Sequence, residues 1–435
     1  MFETISLEMA DFIQRSPSCY HAVSNLAGQF ESAGFTRLHE SRPWELRPGN
    51  GYFFTRSGSA LIAFRIPEGD PAGFMIAAAH SDAPAFKVKP VPELAGEHYV
   101  QLNVEQYGGA ICSAWLDRPL STAGRVTLLE GDRVVSRLVN LDRDLLLIPN
   151  LAIHMNRKIN EGVALNPQVD MLPLFGQENA RDLFWPLVAQ AAGAAPEQIL
   201  SADLFLYLRE ASRIWGAERE FLSSPRLDDL QCAWACAKGL LDCKESRSIP
   251  VCAVFDNEEV GSATKQGADS SLLQDTLLRI STGIGRTAEA HQIALASSMM
   301  ASADNGHAIH PNHPEKADKT NHPHLNGGVV IKHSANQKYT TDSISSGLFQ
   351  TICQKAEVPV QVFTNRSDVA GGSTLGNLSN KHVSLNTVDI GLAQLAMHSP
   401  YETGGVKDTW YLLRALTAFY QTVISCDGSD AYTLG

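Results

Sequence analysis

Side chains that typically bind metals end or follow several predicted strands of this sequence. His80 ends an apolar run and Asp82 follows it, so His80 could bind a metal through one ring nitrogen while Asp82 holds the other. Asp228 and Asp229 open a predicted helix, where capping and the helix dipole also favour acids. Taken singly, such residues are equally well explained by a capped turn or a helix start.

Two adjacent glutamates, Glu258 and Glu259, follow an apolar strand predicted for residues 250–255. Adjacent glutamates on a helix surface are usually solvated, but at the mouth of a buried strand they must find cations or protons. Asp304 follows another predicted strand, and His398 lies near the C-terminus. On its own, each of these last two would be an ordinary hydrogen-bonded loop residue.

Together these residues form a coherent set for two divalent metal ions. The five candidate ligands are His80, Asp228, Glu259, Asp304 and His398. Two ions about 3.5–4 Å apart need a bridging carboxylate and further ligands for each ion. Asp228 could bridge, with His80 and Asp304 completing one ion. Glu259 and His398 could complete the other. Glu258 is then left without a metal, and a free carboxylate beside a metal-bound water is what a general base requires.

The elements that must position these residues alternate between helix and strand. Apolar residues at helical spacing predict a helix over 18–34. Residues 73–79 are apolar on both faces, as a central strand covered by helices on both sides requires. A helix near 229–242, a strand near 293–301 and a closing helix over about 407–425 continue the pattern.

Residues 90–220 interrupt this alternation and are predicted to be mostly β. Two alternating runs, 125–129 and 134–138, indicate a hairpin. The simplest organisation is an α/β domain with a mixed sheet flanked by helices. Residues 1–89 and 221–435 would form this domain, and the β-rich insertion would divide it.

Composition limits the possible partners. The 435 residues are 44% hydrophobic and 19% charged, which suits a globular protein of two or three folding units. The 47 acidic against 35 basic side chains give a net charge of −12, which argues against nucleic acid as a partner. Eight cysteines lack the density of a disulfide framework, and we find neither a secretion signal nor an apolar run of membrane-spanning length. We therefore expect a cytoplasmic protein without a membrane anchor.

Five segments resemble the aspartyl aminopeptidase family. They are His-Ser-Asp-Ala-Pro from residue 80, Arg-Leu-Asp from 226, Asp-Asn-Glu-Glu-Val-Gly-Ser from 256, Ser-Ala-Asp from 302 with His307 and His310-Pro311-Asn312 after it, and Leu-Ala-Met-His-Ser from 395. Their order and spacing match the family from about residue 10 to residue 425. The resemblance implies a two-metal aminopeptidase fold with an inserted β-rich dimerisation domain. It also implies release of one N-terminal residue, Asp or Glu, from peptides.

The resemblance implies roles for the residues already singled out. The five candidate ligands fall on the family's metal-ligand positions, Glu258 on its general base, and Asp82 on the residue that orients His80. Two divalent ions are implied, with zinc as the first choice and manganese or cobalt as alternatives, since all three accept these ligand types. The expected reaction is attack of a metal-bridging hydroxide on the scissile carbonyl, with Glu258 shuttling the proton.

Three further residues match family positions that act on the substrate. His307 falls on a histidine near the transition-state oxygen, and Lys332 on a lysine that pairs with the acidic side chain of the substrate. His154, within the insertion, falls on a histidine that reaches the active site of the neighbouring subunit. The family thus implies dimers built through the insertion and assembled into a dodecamer. One departure is Asp229, which stands where the family more usually has Asn.

Two other functions stay open from the residues alone. A metal-dependent carboxypeptidase or deacylase can use a similar centre but recognises the other end of its substrate. A non-catalytic scaffold would use the metals only to hold the fold together. The unliganded Glu258 argues against a scaffold, because a structural site closes its open positions.

Overall fold

A computed structural model describes residues 1–428 and 430–435 of the chain. The helices are α1 (Phe2–Gln14), α2 (Cys19–Ser32), α3 (Pro167–Asp170), α4 (Phe184–Ala192), α5 (Leu227–Asp242), α6 (Leu272–Gly283), α7 (Ala288–Ala296), α8 (Ser343–Lys355), α9 (Leu375–Ser379) and α10 (Asp408–Gln421). The strands are β1 (Thr36–Arg37), β2 (Gly51–Arg56), β3 (Ala60–Arg65), β4 (Phe74–His80), β5 (Ala85–Ala95), β6 (Tyr99–Tyr107), β7 (Leu120–Glu130), β8 (Arg133–Asn140), β9 (Leu174–Gln177), β10 (Ile199–Leu208), β11 (Arg213–Trp215), β12 (Phe221–Ser224), β13 (Ile249–Phe255), β14 (Met299–Ala303), β15 (Gly306–His307), β16 (Val329–His333), β17 (Val360–Thr364), β18 (Asn386–Gly391), β19 (Ala393–Leu395), β20 (Glu402–Gly405), β21 (Ile424–Cys426) and β22 (Tyr432–Leu434).

The largest sheet has nine strands in the order β1-β2-β3-β13-β4-β14-β18-β16-β17. Its central strands β13, β4, β14 and β18 are parallel to one another. On either side of them, β3 is antiparallel to β13 and β16 is antiparallel to β18. Every residue of β4 is buried, as the continuous apolar run predicts. The predicted mixed α/β fold is therefore confirmed.

Helices cover both faces of this sheet, and each face has its own apolar core. Trp234 of α5 and Phe419 of α10 lie in one core, with α1, α2 and α8. Leu277 of α6 and Leu375 of α9 lie in the other core. Burial of each large apolar side chain contributes about 1.5–3 kcal/mol, so both layers stabilise the sheet. No helix within residues 1–428 and 430–435 combines the length and the apolar character needed to cross a membrane.

A second sheet has six strands in the order β8-β7-β10-β5-β6-β9. The predicted hairpin is present as β7 and β8, and α4 packs on this sheet around the buried Phe86, Phe184 and Leu204. A third sheet, in the order β11-β12-β20-β19-β15, combines two strands that precede β13 in the chain with three that follow β14. The six-stranded sheet spans residues 85–208, and the proposed domain limits at 90 and 220 stay a prediction.

Two elements of the structure differ from those predicted from the sequence. The strand predicted near 293–301 is the end of helix α7 followed by strand β14. Alanine and leucine in this run suit a helix as well as a strand, and the Thr287 side chain caps α7 by accepting a hydrogen bond from the backbone N–H of Ala290 at 3.1 Å. The closing helix stops at Gln421, because the next residues form β21 and pair with β22.

Candidate active site

Three of the candidate ligands follow neighbouring parallel strands. His80 is the last residue of β4 and pairs in register with Phe255, the last residue of β13. The turn after β13 carries Glu258 and Glu259, and Asp304 directly follows β14. Parallel strands bring their carboxyl ends to one edge of a sheet, which is where α/β proteins place their sites.

Glu402 holds the other two candidate ligands. It lies at the start of β20 and accepts a hydrogen bond from the backbone N–H of Asp228 at 3.0 Å and from that of His398 at 2.8 Å. Glu402 is buried, and burial together with the Asp228 charge raises its pKa to about 8. This carboxylate therefore ties the first turn of α5 to the loop between β19 and β20.

Asp228 faces a different histidine with each of its oxygens. Its Oδ1 lies 3.6 Å from Nε2 of His80, and its Oδ2 lies 3.5 Å from Nε2 of His398. The same Nε2 of His398 is 3.4 Å from Oε2 of Glu259. Asp228 thus lies between two histidines, as the bridging hypothesis requires.

The ligand atoms form groups small enough to hold metal ions. Within each of three groups these atoms lie no more than 4.8 Å apart, and the groups are His80 with Asp228, Asp229 and Asp304, then Asp228 with Glu259 and His398, then His80 with Glu258 and Glu259. Oxygens of Asp228, Asp229 and Glu259 are buried without a hydrogen-bond partner in the described residues. An unpartnered buried carboxylate oxygen is costly, and a divalent cation would satisfy it. Imidazole and carboxylate donors suit zinc. The residues present therefore fit the metal ions.

The electrostatics also indicate a cation. Burial raises the pKa of Glu258 to about 7, and the Asp304 charge adds to the rise. Burial and the Asp228 charge raise the pKa of Glu259 well above its usual range. Burial raises the pKa of Asp304 to about 6, although the Lys332 ammonium opposes the rise. Carboxylates crowded in this way repel one another until cations or protons neutralise them.

Asp82 connects His80 to the glutamate turn. Its backbone carbonyl accepts a hydrogen bond from Nδ1 of His80 at 3.1 Å, while its Oδ1, 3.4 Å from that nitrogen, accepts from the backbone N–H of Glu258 at 3.1 Å. Its Oδ2 accepts from the backbone N–H of Glu259 at 3.2 Å. Asp82 therefore positions a predicted ligand through its backbone carbonyl and the predicted base through its carboxylate.

The three predicted substrate residues lie in different places. Lys332 is buried on β16, with Nζ 3.5 Å from Oδ2 of Asp304 and donating to the carbonyl of Asn305 at 2.8 Å. His307 is exposed at the end of β15. Desolvation of its ring by neighbouring residues, together with the Lys332 charge, lowers its pKa. His154 is exposed on the segment after β8. The structure brings Lys332 and His307 to the ligand cluster of the same chain, but not His154.

Sequence reasoning missed Glu402, Tyr107 and Gly109. The Tyr107 hydroxyl donates to Asp82 at 2.8 Å, and Nδ1 of His398 donates to the carbonyl of Gly109 at 2.7 Å. No residue pattern marks a buried glutamate four residues after a histidine. The glycine pair after Tyr107 was the available signal, since consecutive glycines often mark a close backbone approach.

Comparison with known proteins identifies the family of the chain. A model of the family described as aminopeptidase I zinc metalloprotease (M18) matches residues 12–420. A relative from Clostridium novyi (strain NT), described as probable M18 family aminopeptidase 2, is 45% identical over 423 residues. That match covers 95% of this chain and 98% of the relative.

Solved structures show the same similarity. A chain in the cryo-EM structure of the Ape4 and Nbr1 complex superposes with a TM-score of 0.93 at 37% identity, over 97% of this chain and 86% of that chain. The S. cerevisiae mApe1 dodecamer superposes with a TM-score of 0.84 at 28% identity, over 96% of this chain and 97% of that chain. The residues matched by the family model, 12–420, include every ligand candidate. The chain belongs to the M18 family of zinc metallo-aminopeptidases, which are hydrolases.

Proposed function

We propose that this aminopeptidase holds two divalent metal ions and releases N-terminal Asp or Glu from peptides. The position of Asp228 carries the proposal, because each of its oxygens faces a different histidine. Glu258 supports it further, since its side chain accepts no hydrogen bond from residues 1–428 and 430–435 and is open to a water.

The two ions would share Asp228. His80 and Asp304 would complete one ligand set, and Glu259 and His398 the other. The family description favours zinc, and manganese and cobalt accept the same donors. When bound, the ions would polarise the scissile carbonyl and acidify the attacking water.

Glu258 would act as the general base. It would accept a proton from the attacking water and deliver it to the leaving amine. Asp82 supports this role, because its carboxylate holds the backbone of Glu258 and also lies beside the ring of His80. His307, at the open side of the cluster, would donate a hydrogen bond to the oxyanion.

Lys332 would select acidic N-terminal residues. Its ammonium group is buried at the edge of the ligand cluster, 3.5 Å from Asp304, in a chain of net charge −12. A charge-assisted hydrogen bond to a substrate carboxylate is stronger than one between neutral groups. The cations and Lys332 together would make the pocket locally positive inside a negative surface.

Self-association would complete the site. Large apolar side chains are exposed on either side of His154, with Leu151 57%, Ile153 48% and Met155 75% exposed. Exposed apolar residues grouped in this way are typical of an interaction surface. We propose that this segment meets a second subunit and brings His154 to its active site, within an assembly such as the dodecamer described for mApe1.

The cytoplasm is the compartment we propose. All eight cysteines are free thiols in the described part of the chain, and six of them are buried. Free thiols persist in a reducing compartment. Cell fractionation with an antibody to the protein tests the assignment.

Hydrolysis of a small peptide panel tests the proposed activity. Peptides with N-terminal Asp, Glu, Ala and Leu, and one with N-acetyl-Asp, are compared before and after chelation and after zinc is restored. We expect rapid release of Asp and Glu, slow release of Ala and Leu, no cleavage of the acetylated peptide, and loss of activity with the metal. Equal rates for Asp and Leu would contradict the acidic specificity, and cleavage of the acetylated peptide would contradict the requirement for a free amine.

A further inference from the structure

We propose that residues 107–111 form a strap that positions the metal centre of their own chain. The inference rests on the metal ligands proposed above. The strap leaves the end of β6 in the six-stranded sheet, where Tyr107 pairs with Ala85 at the start of β5. Because Asp82 lies just before β5, this pairing brings the strap to the ligand cluster.

Tyr107 fixes the carboxylate of Asp82. Its hydroxyl donates to Oδ2 of Asp82 and accepts from Nδ2 of Asn257, each at 2.8 Å. The ring packs edge-on against Phe205, with the ring centroids 5.3 Å apart. The same carboxylate accepts from the backbone of the glutamate turn, and the Asp82 backbone carbonyl accepts from Nδ1 of His80, so a hydroxyl that fixes Asp82 acts on both.

The strap also holds His398. The carbonyl of Gly109 accepts a hydrogen bond from Nδ1 of His398 at 2.7 Å, and the backbone N–H of Ile111 donates to the carbonyl of His398 at 3.0 Å. A proton on Nδ1 leaves Nε2 free to bind a metal. Nε2 is the nitrogen that faces Asp228 and Glu259.

Gly108 lets the strap approach Glu259. Its φ is +71°, and a Cβ added there would lie 3.0 Å from Cβ and 3.3 Å from the carbonyl oxygen of Glu259. Glycine is therefore required both for the backbone conformation and for the space. The strap thus acts on His80 through Asp82, on His398 directly, and on Glu259 by close packing.

Residues that orient metal ligands typically change metal affinity about 10- to 100-fold when mutated. Tyr107→Phe removes one hydroxyl, and we expect it to raise the zinc dissociation constant of the apoenzyme about 10-fold. Once zinc is saturating, KM should stay near the wild-type value. Tyr207→Phe is the matched control, because that hydroxyl donates to Asn140 at 2.8 Å and does not contact Asp82.

A second pair keeps the test decisive if one variant fails to fold. Gly108→Ala should weaken zinc binding, whereas Gly131→Ala should not, since Gly131 has a φ of +60° but no atom within 4 Å of an added Cβ. Circular dichroism and light scattering check the fold and the assembly of all four variants.

Weaker zinc binding in either strap variant, relative to its own control, supports the proposal that the strap positions the metal centre. Zinc affinity at the control level in every strap variant that folds overturns it. His80→Ala separates this outcome from a failure of the proposed centre. If His80→Ala also binds zinc normally, the proposed ligand set is wrong; if it loses zinc, only the strap is rejected.

Discussion

The nine-stranded and six-stranded sheets both reach the ligand cluster, but they contribute different chemistry. The larger sheet supplies charged and imidazole groups at its strand ends, including His80 and Asp304. The smaller sheet supplies a hydroxyl and a carbonyl, from Tyr107 and Gly109, which contact Asp82 and His398. The comparison indicates that the larger sheet positions three of the five proposed ligands, His80, Glu259 and Asp304, while the smaller sheet contacts residues that orient the site.

The two sheets also differ in how far they are buried. The central strands β4, β13 and β14 of the larger sheet are buried along their whole length. The smaller sheet ends in the edge strand β8, where Val134 is 66% exposed. This strand carries exposed arginines beside its exposed valine and leucine, and charged side chains on an edge strand limit indiscriminate pairing with other chains. The smaller sheet therefore combines contacts to the site with an exposed edge.

The largest effect should follow a change among the ligands. Asp228→Asn keeps the shape of the side chain but removes the charge between the two histidines. We expect zinc content to fall and hydrolysis to drop to the level of the chelated wild type.

Asp229→Asn is the matched control for this change. Asp229 is buried in the same group of side chains but is not one of the five proposed ligands, and its Oδ2 accepts a hydrogen bond from the backbone N–H of His80 at 3.1 Å, which an amide oxygen can also do. Metal analysis by mass spectrometry should find zinc retained. If both variants keep their zinc, Asp228 does not bridge the ions.

Loss of specificity for acidic substrates in a Lys332 variant should be the next largest effect. Removing the Lys332 ammonium in Lys332→Ala should lower kcat/KM about 10- to 100-fold for Asp peptides relative to Leu peptides, since a charged hydrogen bond is lost. Lys316→Ala is the control, because Lys316 is exposed beside the open cavity next to His307. A similar loss on both peptides would mean that Lys332 supports Asp304 rather than selects the substrate.

Removing the His154 side chain, which we propose acts on the neighbouring subunit, should have a smaller effect on kcat/KM. His154→Ala should lower kcat/KM about 10-fold, the cost of losing one charged or well-placed hydrogen bond. Coexpression with Glu258→Gln should then restore activity, because mixed assemblies contain sites with one intact Glu258 and an intact His154 from the neighbour. Activity no higher than the sum of the activities of the two variants expressed separately would contradict a contribution in trans.

The smallest effect should follow a change of Asp203 in the six-stranded sheet, and it should be on the free energy of unfolding. Asp203 accepts hydrogen bonds from Lys87 at 2.8 Å, Arg125 at 3.0 Å and Tyr20 at 3.2 Å, which join the sheet to α2. These pairs are partly exposed, so Asp203→Asn should lower the free energy of unfolding by about 1 kcal/mol without changing kcat.

The same contacts predict a pH dependence. Burial would raise the pKa of Asp203, but Lys87 and Arg125 outweigh burial and lower it below the ordinary value. The stabilisation is therefore present above the ordinary carboxyl pKa and is lost as pH falls through the lowered value. Denaturant unfolding should find the difference between wild type and Asp203→Asn shrinking in acid. A difference that grows in acid would contradict the lowered pKa.

The proximity of three candidate ligands follows from the sequence, because each comes at or after the end of a buried parallel strand, where chain order and sheet geometry determine which residues meet. His80, Glu259 and Asp304 lie together for that reason. Glu402 and the strap reach the cluster from other sheets, and their contacts use backbone groups that no residue pattern reveals. The end of helix α7 was predicted to belong to the strand that is β14, because this short apolar run has no single period.

Turnover by Glu258→Gln tests the central claim most directly. The change is isosteric and removes the base while the five proposed ligands stay in place. With zinc content and fold unchanged, we predict that kcat on an Asp peptide falls about 10²- to 10⁴-fold, the range for losing a general base. A folded, zinc-loaded Glu258→Gln enzyme with near wild-type turnover would contradict the account.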